Sequence, residues 1–187
     1  PTLAVGIAIN AWAALFVFLG AFFYGVVYTI WLKRRTWLNI VIGGLAGSFA
    51  VLAGAAVIDP AITPIPMALA FVLFLWTPSH FWSLAIAMKP EYAAAKVPML
   101  PVVAGEETTA RAIFGNTVLL VAASLLPAFL GMGWIYLVAA AIGGAYFLFR
   151  TVKLIQTPAP KPAMASFFAS LIQLALLLAG AFLDSHL

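Results

Sequence analysis

Six apolar runs, each close to the length that crosses a lipid bilayer, dominate the sequence: residues 3–31, 38–57, 65–88, 112–130, 132–149 and 163–183. A bilayer core takes about 20 apolar residues per helix, and a helix is one of the few structures that satisfies all its own backbone polar groups there. The reading is therefore all-α: one polytopic transmembrane helix bundle of six helices, forming a single domain over residues 1–187. The fourth and fifth runs meet at Gly131-Met132-Gly133, so short a link that a tight antiparallel hairpin is expected.

The cations fix an orientation. All nine fall in three connections: Lys33, Arg34 and Arg35 in the first, Lys89, Lys96 and Arg111 in the third, Arg150, Lys153 and Lys161 in the fifth. With Glu91, Glu106 and Glu107 the odd connections carry net +6, whereas Asp59 and Asp184 give the opposite side net −2. Lysine and arginine bias sets membrane orientation, so the basic loops are expected to be cytoplasmic and both termini extracytoplasmic. Composition agrees, since 66% apolar and 7% charged residues fall far from the roughly 25% charged of soluble domains. The absence of cysteine excludes disulfides, thiolate zinc sites and cysteine-ligated iron-sulfur clusters. No nucleotide-binding glycine motif or nucleic-acid module is visible, and the lipid bilayer is the expected solvent.

The sequence starts Pro1-Thr2-Leu3, with neither an initiator methionine nor a signal-peptide pattern. An outward-facing start of this kind leads to the expectation that the chain is the C-terminal part of a longer protein, with earlier helices before Pro1.

Three places carry chemistry. In Tyr28-Thr29-Ile30-Trp31-Leu32-Lys33-Arg34-Arg35-Thr36, three cations and nearby hydroxyls suit a phosphate or diphosphate, arginine as a planar fork and lysine as a mobile point charge. The same residues suit interfacial anchoring at a helix C-terminus, and residue types alone leave both readings open. In Trp76-Thr77-Pro78-Ser79-His80-Phe81-Trp82, His80 lies nine residues before Lys89, roughly 13 Å of helix rise, and thus inside the membrane. An intramembrane imidazole is costly without a cavity or partner. It is either functional or a brace at the carbonyl freed by Pro78, which Thr77 or Ser79 would help satisfy. Phe74, Trp76, Phe81 and Trp82 would line a pocket for a flat or isoprenoid ligand, or simply pack. The long link from Lys89 to Arg111 holds Glu91, a candidate Mg²⁺ ligand, then Tyr92. Its apolar stretch Val97-Pro98-Met99-Leu100-Pro101 is expected to fold back over the helix ends, and Glu107 with Arg111 forms an i,i+4 pair.

Taken together, the run 28–36, the following Asn39-Ile40-Val41-Ile42-Gly43-Gly44, the segment 75–82 and the loop motif from Glu91-Tyr92 through Val97-Pro98-Met99-Leu100-Pro101-Val102-Val103 to Gly105-Glu106 closely resemble the protoheme IX farnesyltransferases, or haem O synthases. These form the haem branch of the UbiA-type intramembrane prenyltransferases. The resemblance extends from about Phe22 to Asp184 and implies the last six helices of a nine-helix fold, in a bacterial cell inner membrane. It also implies transfer of a farnesyl group from farnesyl diphosphate, with Mg²⁺, to a vinyl group of protohaem IX (haem B), giving haem O. Haem A synthase is then an expected partner.

Carried over by position, Lys33, Arg34, Arg35 and Thr36 would hold the diphosphate or a haem propionate, and Glu91 would ligate the metal. Tyr92 and Arg111 would contact substrate, and His80 would position haem or handle a proton. Two departures stand out. The first acidic motif of that family would precede Pro1, and the second is reduced to Lys89-Pro90-Glu91-Tyr92, a single carboxylate. Ser48-Phe49-Ala50-Val51 also stands where the family tends to have prolines. Alone, the chain is expected to lack a complete Mg²⁺ site and to be inactive, so the activity belongs to the parent. The alternatives are a UbiA-type enzyme acting on a quinone-precursor ring and a small-molecule transporter.

Overall fold

A bundle is assembled around one polar-studded helix. The computed structural model describes residues 10–186, so residues 3–9 of the first expected run lie outside the described residues. In chain order the helices are α1 (Ala11–Leu32), α2 (Asn39–Ile58) and α3 (Pro64–Ala87), then the short α4 (Lys89–Ala94) and α5 (Leu100–Ala104). The long α6 (Glu106–Phe129), α7 (Trp134–Gln156) and α8 (Pro160–Asp184) follow. The six long ones are apolar and long enough to span a membrane, and no strand occurs among the described residues.

Local chemistry sets the ends. Asn10 caps α1 by accepting from the Ala13 N–H at 3.0 Å, while its own amide donates 2.6 Å to the Ala56 carbonyl at the far end of α2. Proline opens α3, α4, α5 and α8, where its missing N–H costs nothing and its fixed φ already suits a helix. Lys96 closes α4 in the left-handed region (φ 54°), with Val97 N–H bonded to the Tyr92 carbonyl and Lys96 N–H to that of Ala93. That is a Schellman stop without its usual glycine. The α6–α7 hairpin turns at Gly131 (φ 116°) within a four-residue link, 130–133, the short connection expected. Several helices run past their apolar runs: α6 begins at Glu106 rather than 112, and α7 continues to Gln156. The apolar run marks the lipid-immersed part of a helix, which continues into water wherever its backbone ladder does.

α3 is the hub, packing against α2, α6 and α8. Lipid supplies little hydrophobic drive between helices, so close backbone approach and hydrogen bonds must join them. Toward α2, Ser48 Oγ donates to the Ala70 carbonyl at 2.8 Å. Toward α6, Asn116 Nδ2 donates to the Leu75 carbonyl at 2.6 Å and to Ser79 Oγ at 2.7 Å, and Thr117 Oγ1 lies 3.1 Å from the same Ser79 oxygen. Toward α8, Trp76 Nε1 donates to the Ser170 carbonyl at 2.8 Å, and the Ser83 and Ser166 hydroxyls meet at 2.9 Å. The last hairpin relies on missing side chains instead: a Cβ at Gly180 would lie 2.7 Å from that of Ala139.

The link between α3 and α6 packs inward, with Val97, Met99 and Leu100 buried in one cluster with Trp82 and Ile86. Around Pro78, Thr77 Oγ1 donates to the Leu73 carbonyl at 2.9 Å, whereas Ser79 turns outward to α6. The expectation that Thr77 or Ser79 would satisfy the Phe74 carbonyl freed by Pro78 is corrected on this point: Thr77 takes the carbonyl one residue earlier, and Asn116 draws Ser79 across the interface.

Candidate functional site

A cavity of about 460 Å³ lies among α1, α2 and α3. Its α1 wall is built from Tyr24, Tyr28 and Lys33, its α2 floor from Gly43, Gly44 and Gly47, and its α3 wall from Leu73, Trp76, Thr77 and Phe81. The α1 wall owes its alignment to an unusual backbone. Residues Phe23–Leu32 form a π-helix, far longer than the single-turn bulges in which this conformation normally occurs. Lys33 N–H reaches back five residues to the Tyr28 carbonyl at 2.8 Å, and Thr29 Oγ1 five residues to that of Tyr24 at 2.7 Å. In this wider turn, spacings of four and five residues bring Tyr24, Tyr28 and Lys33 to one face.

The floor is open because it lacks side chains. A Cβ added to Gly43 would lie 2.8 Å from Cδ2 of Tyr28, one on Gly44 3.1 Å from Cβ of Thr77, and one on Gly47 3.3 Å from Leu73 Cδ2. Lys33 is the cation on the wall, with Nζ 5.9 Å from the Tyr28 ring centre. A second, apolar groove of about 470 Å³ lies between α1 and α2, shares Tyr24 and Ala46 with the first cavity and is lined further by Phe16, Gly20 and Ala50. The first space carries a cation and the second is greasy, so the pair suits an anionic head and an apolar tail.

The expected site residues divide. Lys33 faces the cavity, but Arg34 and Arg35 are exposed, and half-buried Thr36 accepts a 3.2 Å bond from the Leu38 N–H. His80 is 94% buried behind the α3 wall rather than on it. Its ring stacks on Trp76 at 4.1 Å and on Phe167 at 4.4 Å, and Nδ1 lies 2.7 Å from Ser170 Oγ. Because Ser170 Oγ also donates 2.6 Å to the Phe167 carbonyl, its single proton is committed there and Nδ1–H of His80 is the donor in the other bond. His80 thus touches the cavity through Trp76. Of the other aromatics, Phe81 lines the cavity, Phe74 stacks on Phe71, and Trp82 lies in the cluster 6.3 Å from Trp37.

At the rim, Tyr92 packs against the same cluster as Tyr28 and Phe81, and burial pushes its hydroxyl above the ordinary phenol range. Glu91 is exposed. Glu106 is held by Lys89 at 3.3 Å, and Glu107 pairs with Arg111 at 4.0 Å, both ends of the latter exposed. Among the described residues no three acids or histidines converge on a metal position. A lone Glu91 carboxylate does not make a Mg²⁺ site.

The UbiA prenyltransferase family profile matches residues 2–177. The chain belongs to that family. Among UbiA-related proteins it is 64% identical to protoheme IX farnesyltransferase 2 of Paramagnetospirillum magneticum, over 95% of this chain and 62% of the relative. It is 54% identical to protoheme IX farnesyltransferase 1 of the same organism, over 96% and 64% respectively. It is 46% identical to the protoheme IX farnesyltransferase of Sulfurisphaera tokodaii, over 93% and 58%. The chain therefore spans about three fifths of the length of the curated relatives it matches. No solved structure matches it.

Sequence reasoning missed the glycine floor and Tyr24 as parts of the cavity. Their signal was present: small residues at 43, 44 and 47 fall on one helical face, and Tyr24 stands four residues before Tyr28. The serine seam was equally legible, since Ser79 with Ser83 and Ser166 with Ser170 each stand four apart inside apolar runs.

Proposed function

We propose that this chain forms the part of a membrane prenyltransferase that holds farnesyl diphosphate and delivers its farnesyl group to a vinyl carbon of protohaem IX, yielding haem O. The observation that carries the reading is the cavity with Lys33 on its wall, beside an apolar groove that shares Tyr24 and Ala46 with it, in a chain whose relatives bear the protoheme IX farnesyltransferase name.

In the reaction, the bond between the allylic carbon and the diphosphate oxygen breaks, a carbon–carbon bond forms to the vinyl group, and water adds to the resulting cation with loss of a proton. Lys33 holds the departing diphosphate, with Arg34, Arg35 and Thr36 adding positive potential and a hydroxyl at the rim. Fixed charge aimed where negative charge develops is the largest single source of such catalysis. The π-faces of Tyr24, Tyr28, Trp76 and Phe81 stabilise the allylic cation, and the apolar groove keeps water away until the carbon bond is made. His80 serves as a positioning residue, holding Trp76 against the cavity. Tyr92 and Arg111 belong to the cytoplasmic rim where haem propionates approach. Glu91 would contribute one oxygen ligand to the Mg²⁺ that neutralises diphosphate, but the described residues do not complete such a site and no step here passes through the metal. The product would be consumed by haem A synthase in the same bacterial inner membrane, with the basic loops cytoplasmic.

The test is the complete gene product in membranes with haem B, farnesyl diphosphate and Mg²⁺, read by mass spectrometry for the heavier haem. Lys33→Gln, Arg34→Ala and Trp76→Ala should each cut product strongly while the protein still inserts. Wild-type yield from Lys33→Gln and Trp76→Ala would overturn the site. A prenylated aromatic acid without haem O would move the substrate to a quinone precursor, and flux across liposomes without dependence on farnesyl diphosphate would mark a transporter.

A further inference from the structure

The fifth connection carries three cations that the prenyl cavity does not use. Between the end of α7 and the start of α8 lies a separate cavity of about 270 Å³, lined by Arg150, Lys153, Lys161, Pro162 and Ala165. It shares no lining residue with the cavity at Lys33. The ion pairs among the described residues are Lys89 with Glu106 and Arg111 with Glu107, so no carboxylate there neutralises the three.

The guanidinium is set in advance. Nε of Arg150 donates to the Tyr146 hydroxyl at 3.2 Å, and the group sits 5.4 Å above the Tyr146 ring and 5.9 Å from that of Phe149. One of its five N–H donors is thereby used, and the terminal pair remains as a fork for two oxygens of one anion. Lys153 lies one turn on, Nζ 5.8 Å from the Phe149 ring centre. Lys161 brings the third charge from the opposite helix.

Arg150 and Lys153 near a helix C-terminus have an ordinary explanation in the helix dipole, but Lys161 does not. It stands in the first turn of the 25-residue α8, where the dipole repels a cation. An anion seated between the helices removes that penalty and satisfies all three charges together.

We propose that this hairpin cavity binds a phosphate group, presented by an anionic lipid headgroup or free in solution. Its place at a membrane face, between two spanning helices, is where basic pockets take lipid phosphates. The site is independent of the prenyl-transfer reading, and its failure would leave that reading intact.

The test uses the purified protein in detergent, with native mass spectrometry after exposure to phosphatidylglycerol or phosphatidylcholine and, separately, to inorganic phosphate. Retention of phosphatidylglycerol above zwitterionic phosphatidylcholine, or binding of inorganic phosphate, is expected, falling about fivefold with Lys161→Gln or Arg150→Gln, the loss that one near-surface cation carries. Arg150→Lys should also weaken it, because the charge stays but the fork is lost. Lys96→Gln, an exposed cation outside the pocket, should change nothing. Retention of phosphatidylglycerol against excess inorganic phosphate assigns a lipid, whereas displacement together with direct phosphate binding assigns the free anion. Circular dichroism checks helix content, and Lys161, exposed at a helix start, is the variant that keeps the test valid if Arg150 proves structural. Equal retention of both lipids with no phosphate binding, or the same loss from Lys96→Gln as from Lys161→Gln, overturns the proposal.

Discussion

His80 and Ser170, ninety positions apart in the chain, meet at 2.7 Å inside the bundle and join α3 to α8. The imidazole is also sandwiched between Trp76 and Phe167, so it contributes both a hydrogen bond and stacking. Ser170→Ala should cost about 1 kcal/mol, in the range of interhelical hydrogen bonds within membranes. His80→Phe, which keeps the stacking, should cost less than His80→Ala, which opens a void worth about 3 kcal/mol. Unfolding by SDS titration from mild detergent measures all three, and an alanine at 80 no worse than one at 170 would remove the stacking from the account.

Gly43 faces the Tyr28 ring so closely that any side chain must displace it. Gly43→Ala should narrow the cavity and weaken prenyl diphosphate binding roughly tenfold, as overpacking by one methyl commonly costs about 1–3 kcal/mol. Gly54, beside which nothing lies within 4 Å, provides the control, and Gly54→Ala should bind normally. Isothermal titration with a farnesyl diphosphate analogue distinguishes them; equal affinities would place the ligand elsewhere.

Much of this was readable from residues, and what was not has physical causes. Run lengths give the six helices because lipid allows so few spanning structures. The burial of Val97, Met99 and Leu100 follows from an apolar loop having nowhere else to go. The π-helical course of α1 has no signature in Phe23-Tyr24-Gly25-Val26-Val27-Tyr28, since the same residues fit an α-helix. His80 was legible as an exceptional residue but not as one behind the wall, because a one-dimensional pattern does not say which side of α3 meets α8 and which meets the cavity.

The Asp184 carboxylate accepts from the Gly133 N–H at the start of α7, placing a negative charge at the positive end of a helix dipole. Asp184→Asn, which keeps an acceptor but loses the charge, should cost about 0.3–1 kcal/mol at low ionic strength. The deficit should shrink in high salt as screening removes the charge contribution. Asp184→Ala should cost more, by a further amount that salt does not change because it comes from the lost acceptor. SDS unfolding at two salt concentrations checks the order; a salt-insensitive Asp184→Asn deficit would assign the effect to the hydrogen bond alone.

The absence of cysteine makes topology directly measurable by single substitutions. Arg35→Cys and Lys153→Cys should react with an impermeant maleimide from one side of oriented vesicles, and Ala61→Cys, exposed between α2 and α3, from the other. Labelling of positions 35 and 153 from opposite sides would break the alternation on which the bundle rests.

α3 presents Trp76, Thr77 and Phe81 to the cavity and pins itself to α6 through Ser79 and to α8 through Ser83 and His80. It is the braced wall of the cavity, facing Tyr24 and Tyr28 of α1 across the glycines of α2. The indole of Trp76, tied through its Nε1 to the Ser170 carbonyl and stacked on His80, is therefore aimed before any guest arrives and needs no reorganisation to meet one.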